Sequence, residues 1–429
     1  MTLAILGGSP VRTKLFPAHR TIGPEEVVAV TQVLESGVLS KFLGAWHADF
    51  AGGPQVRAAE EEWAARFGLK HAISVNSNTS GLIAAVGAIG IQPGDEVIVS
   101  PYSMSISAVA PMFYGGVPVF ADVERDTFCL DAASVASKIT SRTRAIIVVD
   151  LFGQPYDVEG INALAREHGL KVIEDCAQAP GATFNGRCAG GLGDVGVFSL
   201  NYHKHIHSGE GGFIVTNDDE IADRCRLIRN HAESVVGPKG TQDLTNMLGF
   251  NFRMTEIEAA ISRTQLRKLD ALLERRLDNI AYIERKLAGL PALHFAPVRR
   301  GASHVYYQHA AHFDAEAAGI DRNTFIDAVK AELPNFELRE TEGVKLGYGY
   351  VRPIYRQPIF SAPNYPSLFT ANRADYSEVS LPVVERLHHH DLVTHEFMVP
   401  SMSHSDLDDV IHAFEKVWEN RHLLHSLSK

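Results

Sequence analysis

The chain has 429 residues, of which 45% are hydrophobic and 21% charged. It is too long for one typical domain, and its composition is that of a globular protein with large cores. The formal net charge of -11 argues against a nucleic-acid-binding surface.

No apolar run approaches the ~20 residues needed to span a bilayer, and the N-terminal stretch lacks the charged and apolar regions of a signal peptide. The four cysteines, Cys129, Cys176, Cys188 and Cys225, form no C-x-x-C pair and no zinc-ligand pattern. Thiols so few and scattered point to a reducing compartment. The expectation is a cytoplasmic enzyme that handles small molecules, without a metal.

Residues 1–22 carry Gly7-Gly8, Pro10 and Pro17 with few periodic apolar positions, and read as an extended N-terminal arm. Residues 23–265 read as a large domain. Within it, β-rich runs at 72–75, 96–100, 118–122, 145–150 and 171–175 alternate with helical spacing, as in 80–90 and 158–168. That alternation predicts an α/β fold with a mostly parallel sheet covered on both faces. Such sheets place ligands beyond the carboxyl ends of their strands, where Asp175 falls. Two further strands, 195–200 and 213–216, follow without a full intervening helix. A helical segment from about 255 to 290 leads into a smaller α+β C-terminal domain, 266–429, with a last helix near 405–419.

Three segments carry candidate chemistry. In the first, Ser199-Leu200-Asn201-Tyr202-His203-Lys204 runs into Ser208-Gly209-Glu210-Gly211-Gly212. Most lysines are solvated, but one placed after an apolar strand and before a glycine-rich turn suits a protected cleft. There its lowered pKa makes the amine a nucleophile. In the second, the strand Val172-Ile173-Glu174 ends in Asp175, with Gln178 three positions on. Asp175 reads either as a helix N-cap or as the carboxylate that pairs with a pyridinium nitrogen. In the third, Ser77-Asn78-Thr79-Ser80-Gly81 lies between a strand and a helix, and suits either plain capping or an anion site.

Taken together these segments resemble the DegT/DnrJ/EryC1/StrS family of sugar aminotransferases, which have the type I fold of enzymes dependent on pyridoxal 5'-phosphate (PLP). The resemblance runs from Gly7-Gly8-Ser9-Pro10-Val11-Arg12 through Gly94-Asp95-Glu96-Val97 to Gly249-Phe250-Asn251-Phe252-Arg253-Met254. It implies that Lys204 carries the cofactor covalently, that Asp175 pairs with the ring nitrogen and that Gln178 lies near the ring hydroxyl. Ser77, Asn78, Thr79, Ser80 and Ser199 belong by the same resemblance to the cofactor site, chiefly around its phosphate. Asn251 would reach the phosphate of the other subunit, which implies a homodimer with shared active sites. The sequence departs from the family pattern twice. Met104 stands where an aromatic residue commonly stacks on the ring, and Asn78 replaces a common glycine.

The implied reaction moves an amino group from glutamate or glutamine to a keto-sugar or keto-cyclitol. A dehydratase of the same family and a non-catalytic regulator are the alternatives. Lys204 argues against the dehydratase, whose members typically hold His there, and the set Lys204, Asp175 and Gln178 argues against the regulator. Gly191-Leu192-Gly193-Asp194-Val195-Gly196 spells a dinucleotide fingerprint, but a strand follows it where a helix is required. His203, His205 and His207 are expected on an active-site loop, and His388-His389-His390 in a solvated segment, since neither group has a metal-ligand partner at recognisable spacing. The stretch from Gly343 to Pro366, rich in Tyr and Pro, is the candidate for shaping the acceptor pocket.

Overall fold

The computed structural model describes residues 2–360 and 375–427. Seven strands form the main sheet: β1 (His71–Val75), β2 (Glu96–Val99), β3 (Val117–Phe120), β4 (Thr143–Val149), β5 (Lys171–Asp175), β6 (Val195–Ser199) and β7 (Gly212–Thr216). Their order in space is β1-β7-β6-β5-β4-β2-β3. Only β7 runs against the rest: its contacts with β1 and β6 are antiparallel, and the other pairings are parallel. β2, β6 and β7 are buried at every position. They therefore read in the sequence as continuous apolar runs, as strands covered on both faces do.

A second sheet joins β8 (Leu293–Phe295), β9 (His309–Phe313), β10 (Leu346–Tyr348) and β11 (Leu392–His395) in the antiparallel order β8-β9-β11-β10. The Glu256–Leu287 helix links the two sheets. Leu266, Leu269 and Leu273 face the main core, and Ile283 and Leu287 face the second. Thr255 starts this helix with a capping box to Glu258.

Within the segment read as an extended arm, residues 2–22 are anchored to the second core. Ala4–Leu6 makes a 3-10 turn, and Leu3 and Phe16 are fully buried in the second core. Phe16 packs on Phe336 and Phe397, and Arg12 ion-pairs with Asp406 and Asp409. The last 17-residue helix, His404–Asn420, supplies those two carboxylates and closes the same core with Leu407, Val410 and Phe414. Of the Gly343–Pro366 stretch, Ser361–Pro366 lies outside the described residues.

Candidate active site

β1, β5 and β6 end on the same edge of the main sheet, and their following turns enclose a cavity of about 340 Å3. Ser77, Asn78, Thr79, Met104, Asp175, Gln178, Ser199 and Lys204 all line it. Segments scattered over more than a hundred residues of sequence thus meet at one place.

The β1 turn feeds the Asn78–Ala88 helix. Ser77 caps it, accepting the Ser80 N–H at 3.0 Å, and the Ser80 hydroxyl donates to Asn76 Oδ1 at 2.5 Å. Ser80 therefore braces the turn and is absent from the cavity wall, while the exposed Thr79 reaches it. The first N–H groups of this helix have no intrahelical acceptor, and with the helix dipole they form an anion-binding end. β7 runs so close behind that a Cβ on Gly212 would lie 2.9 Å from the Asn78 nitrogen and 2.6 Å from the Phe198 oxygen.

Asp175 is buried, and no helix follows it; the chain turns instead. The capping role therefore fails at this residue. Its Oδ1 accepts from the Ala177 N–H and from Asn78 Nδ2, both at 3.1 Å. The Asn78 side chain is thus turned inward to orient Asp175, and also donates to the Val197 carbonyl. Among the described residues Asp175 Oδ2 has no hydrogen-bond donor. Burial pushes the Asp175 carboxyl above its ordinary range, against the pull of the Ala177 N–H and of Lys204.

The Gln178 amide is fixed at both ends. Its Oε1 accepts the Phe152 N–H at 2.7 Å and its Nε2 donates to Tyr350 Oη at 3.0 Å. Ser199, at the end of β6, accepts the Asn201 N–H at 3.3 Å. Met104 is 57% exposed where it borders the cavity.

Lys204 is only 7% exposed. Its Nζ stands 4.3 Å from the centroid of the Tyr307 ring and has no hydrogen-bond or ion-pair partner among the described residues. Burial lowers its pKa from 10.5 to about 8, with Asp175 and then Glu396 pulling the other way. The result is a buried amine whose pKa lies nearer working pH than a solvated lysine's, in the same cavity as a carboxylate with one free oxygen.

The alternating histidines divide. His203 lines the cavity, and burial, then the Lys204 charge, lowers its pKa to about 4, so it is neutral. His205 turns inward and bonds the Val305 carbonyl at 2.9 Å. His207 is half-buried and sets the following turn through Gly209. In the second group His389 and His390 are exposed, but His388 packs edge-on against Tyr102.

One group of potential metal-ligand atoms occurs among the described residues, formed by Asp150, Glu174 and Cys176 behind β5. The Glu174 oxygens there accept the Gly190, Leu192 and Gly193 N–H groups. Burial and the Glu174 charge drive the Asp150 carboxyl well upward, so a shared proton between the two carboxylates accounts for the cluster.

Asn251 does not join the cavity of its own chain. It is exposed, with its Oδ1 held by Arg253 Nε at 2.8 Å, and Asn230 pairs with it in an isolated antiparallel bridge. Two contributors escaped the sequence reading, Phe152 and Tyr307, while Tyr350 falls in the Gly343–Pro366 stretch expected to shape the acceptor pocket and meets the Gln178 amide. Phe152 sits in a left-handed conformation (φ 60°) that aims its N–H at Gln178. Tyr307 arrives from beyond the linking helix with no local motif to mark it.

A mostly parallel sheet with a cavity at its carboxyl edge and a small antiparallel sheet beside it is the type I fold of transferases. The sequence pattern of the DegT/DnrJ/EryC1/StrS aminotransferase family matches residues 21–397, and the chain belongs to that family. It is 33% identical to the putative L-glutamine:3-amino-2,3-dideoxy-scyllo-inosose aminotransferase of Streptoalloteichus tenebrarius, over 97% of this chain and 98% of the relative. It is 36% identical to the UDP-N-acetyl-3-dehydro-alpha-D-glucosamine 3-aminotransferase of Acidithiobacillus ferrooxidans, over 79% and 86%. Among solved structures it superposes on DesI, determined with its TDP-sugar product, with a TM-score of 0.81 and 28% identity, covering 98% of this chain and 97% of that one.

Aminotransferases of this family depend on PLP. The donor set here fits that group: an unpaired buried amine, a carboxylate with a free oxygen, a fixed amide and an anion-binding helix end. Among the described residues no helix is long and apolar enough to cross a membrane.

Proposed function

We propose that the chain uses this cavity to move the α-amino group of glutamine or glutamate to a keto group on a cyclitol or a nucleotide-linked sugar. The unpaired, buried Lys204 amine opposite Asp175 is the observation that carries this reading. The names of the relatives support the two acceptor classes, and the first of them supports glutamine as donor.

When bound, PLP supplies an electron sink for the carbanion formed at the donor carbon. The chain's own residues do the rest. Lys204 Nζ would hold the cofactor covalently and, as a free amine, would act as the base that moves a proton between the donor carbon and the cofactor side. The same atom serves both halves of the cycle, because its pKa lies close to working pH. The free oxygen of Asp175 holds the proton on the ring nitrogen, and Asn78 keeps that carboxylate aligned. The second Nε2 hydrogen of Gln178 serves the ring hydroxyl. Thr79, Ser199 and the capped turn of Ser77 and Ser80 hold the phosphate against the helix end. Met104, at the cavity edge, would pack its thioether on the ring.

A buried phosphate dianion takes several donors, and an amide adds N–H groups without adding charge. Asn251, exposed and outside its own cavity, reaches the site of the partner in a homodimer. All four cysteines are free, which suits the cytoplasm.

The test supplies glutamine labelled with 15N at the α-amino group, together with a keto-cyclitol or a UDP-linked keto-sugar. The expected product gains one labelled nitrogen in one of the two acceptor series. No labelled amine from either series would sink the reading.

A further inference from the structure

The Gln178 amide can sit only one way round. A backbone N–H only donates, so the Phe152 N–H at 2.7 Å demands the amide oxygen, and the amide nitrogen must face the other side. There it meets Tyr350 Oη at 3.0 Å. Tyr350 follows β10 of the small sheet, 172 positions beyond Gln178.

Its own placement is tightly determined. The Tyr350 N–H donates to Tyr102 Oη at 2.7 Å, just past the end of β2 in the main sheet. The Tyr350 ring stands edge-on to Phe152 (5.1 Å between centroids) and to Tyr102 (5.9 Å). The preceding Gly349 is left-handed (φ 76°), and a Cβ there would lie 2.9 Å from both Nδ1 and the carbonyl oxygen of His388. Gly349 is also held to β11 by its N–H to the Leu392 carbonyl at 2.7 Å. The small sheet is thus built to push one phenol against the amide of Gln178.

We propose that Tyr350 is a positioning residue for the reaction: its hydroxyl accepts one Nε2 hydrogen of Gln178, aims the other at the cofactor ring and so couples the small sheet to the cavity. This inference rests on the cavity being the cofactor site. Burial raises the Tyr350 phenol to about 12, so it keeps its own proton at working pH. The oxygen is therefore free to accept from Gln178.

Tyr350→Phe keeps the ring, the backbone bond to Tyr102 and the edge contacts, and removes only the hydroxyl. Amide exchange is followed in the cofactor-free protein for the peptide containing Phe152. Release of Gln178 is expected to speed exchange at Phe152 about 5-fold, the worth of one ordinary hydrogen bond. In the loaded enzyme kcat is expected to fall about 5- to 10-fold with the KM of the acceptor unchanged. In a Gln178→Ala background the Tyr350→Phe change is expected to add less than 2-fold, because its effect passes through the amide.

Unchanged exchange at Phe152 overturns the clamp. Faster exchange with unchanged kcat, or a full additional loss in the Gln178→Ala background, overturns the positioning role. Either outcome is separate from failure of the cofactor-site reading, which shows instead as no cofactor bound to Lys204 in the unmodified chain.

Discussion

Lys204 Nζ lies over the Tyr307 ring, 4.3 Å from its centroid, where a buried lysine would ordinarily meet a carboxylate. An aromatic face returns about 0.5–2 kcal/mol to a charged amine, less than burial of an unpaired charge removes. The contact therefore does not replace the missing carboxylate, and burial keeps the pKa lowered to about 8. Asp175 acts on Lys204 only as the leading opposing charge, and is not within ion-pair distance among the described contacts.

Replacing Lys204 by Ala is expected to abolish covalent cofactor attachment and to lower turnover by at least about 10^2–10^4-fold, the range of a lost acid–base group. Borohydride reduction followed by peptide mass analysis reads the attachment directly. Cofactor mass recovered on a peptide other than the one containing residue 204 would remove the assignment.

The lowered pKa of Lys204 has a pH signature. Its folded value is about 8 and its ordinary value is 10.5. Between these limits the unfolded chain holds the proton that the folded chain has lost, so this residue's contribution to stability rises with pH from about 8 to 10.5. The melting temperature of the cofactor-free protein, measured across that window, is expected to show this rise, and Lys204→Met is expected to flatten it. The rate of cofactor capture should climb with a midpoint near 8. A midpoint near 10.5 would mean a solvated amine.

For Asp175→Asn, the two donors on Oδ1 can still be accepted, so folding is expected to be retained while half-reaction rates fall about 10^2-fold. The same change removes the charge that raises Lys204 most, and the capture midpoint should move below its wild-type position. Native rates combined with a large loss of melting temperature would return Asp175 to a structural role.

The strands of the main sheet were legible because each is a short apolar run bounded by Gly, Pro or Asp, and those runs begin and end within two residues of β1 to β7. The small sheet was not. β9 reads His309-Ala310-Ala311-His312-Phe313, with no alternation and little β-branching, and it becomes a strand through pairing with β8 and β11. The cavity residues that lie in one motif were legible for the same local reason. Tyr307 was not, and of Tyr350 only the stretch was marked, because its contact with Gln178 depends on where the small sheet sits against Phe152 and Tyr102. Phe16 failed differently: a single buried ring in a Pro- and Gly-rich segment has no period to betray it.

Gly212 tests the closeness of β7 to the Ser77–Asn78 turn. Adding a methyl group there meets backbone on both sides, the Phe198 oxygen and the Asn78 nitrogen, and neither can swing aside as a side chain does. Gly212→Ala is expected to lose about 1–3 kcal/mol of stability by overpacking and to weaken cofactor affinity together with it. Chemical denaturation and cofactor titration measure the two. A fully stable variant with native affinity would show that the turn has room to move.

Asn251 offers the sharpest test of shared active sites. Its carbonyl oxygen is taken by Arg253, so the amide hydrogens remain for an outside acceptor. Lys204→Ala and Asn251→Ala chains are each expected to be weak alone, the first lacking the amine and the second a phosphate donor. In a mixed two-fold dimer, the Lys204→Ala subunit lends its intact Asn251 to the site that holds the intact Lys204. One of that dimer's two sites is then complete, and the other lacks both residues. Random exchange makes about half of the dimers mixed, so activity should return to about a quarter of wild type. Tagged subunits separated after exchange establish that mixed dimers have formed. If they have, and activity stays at the level of the parent variants, Asn251 acts within its own chain and the site is not shared through it.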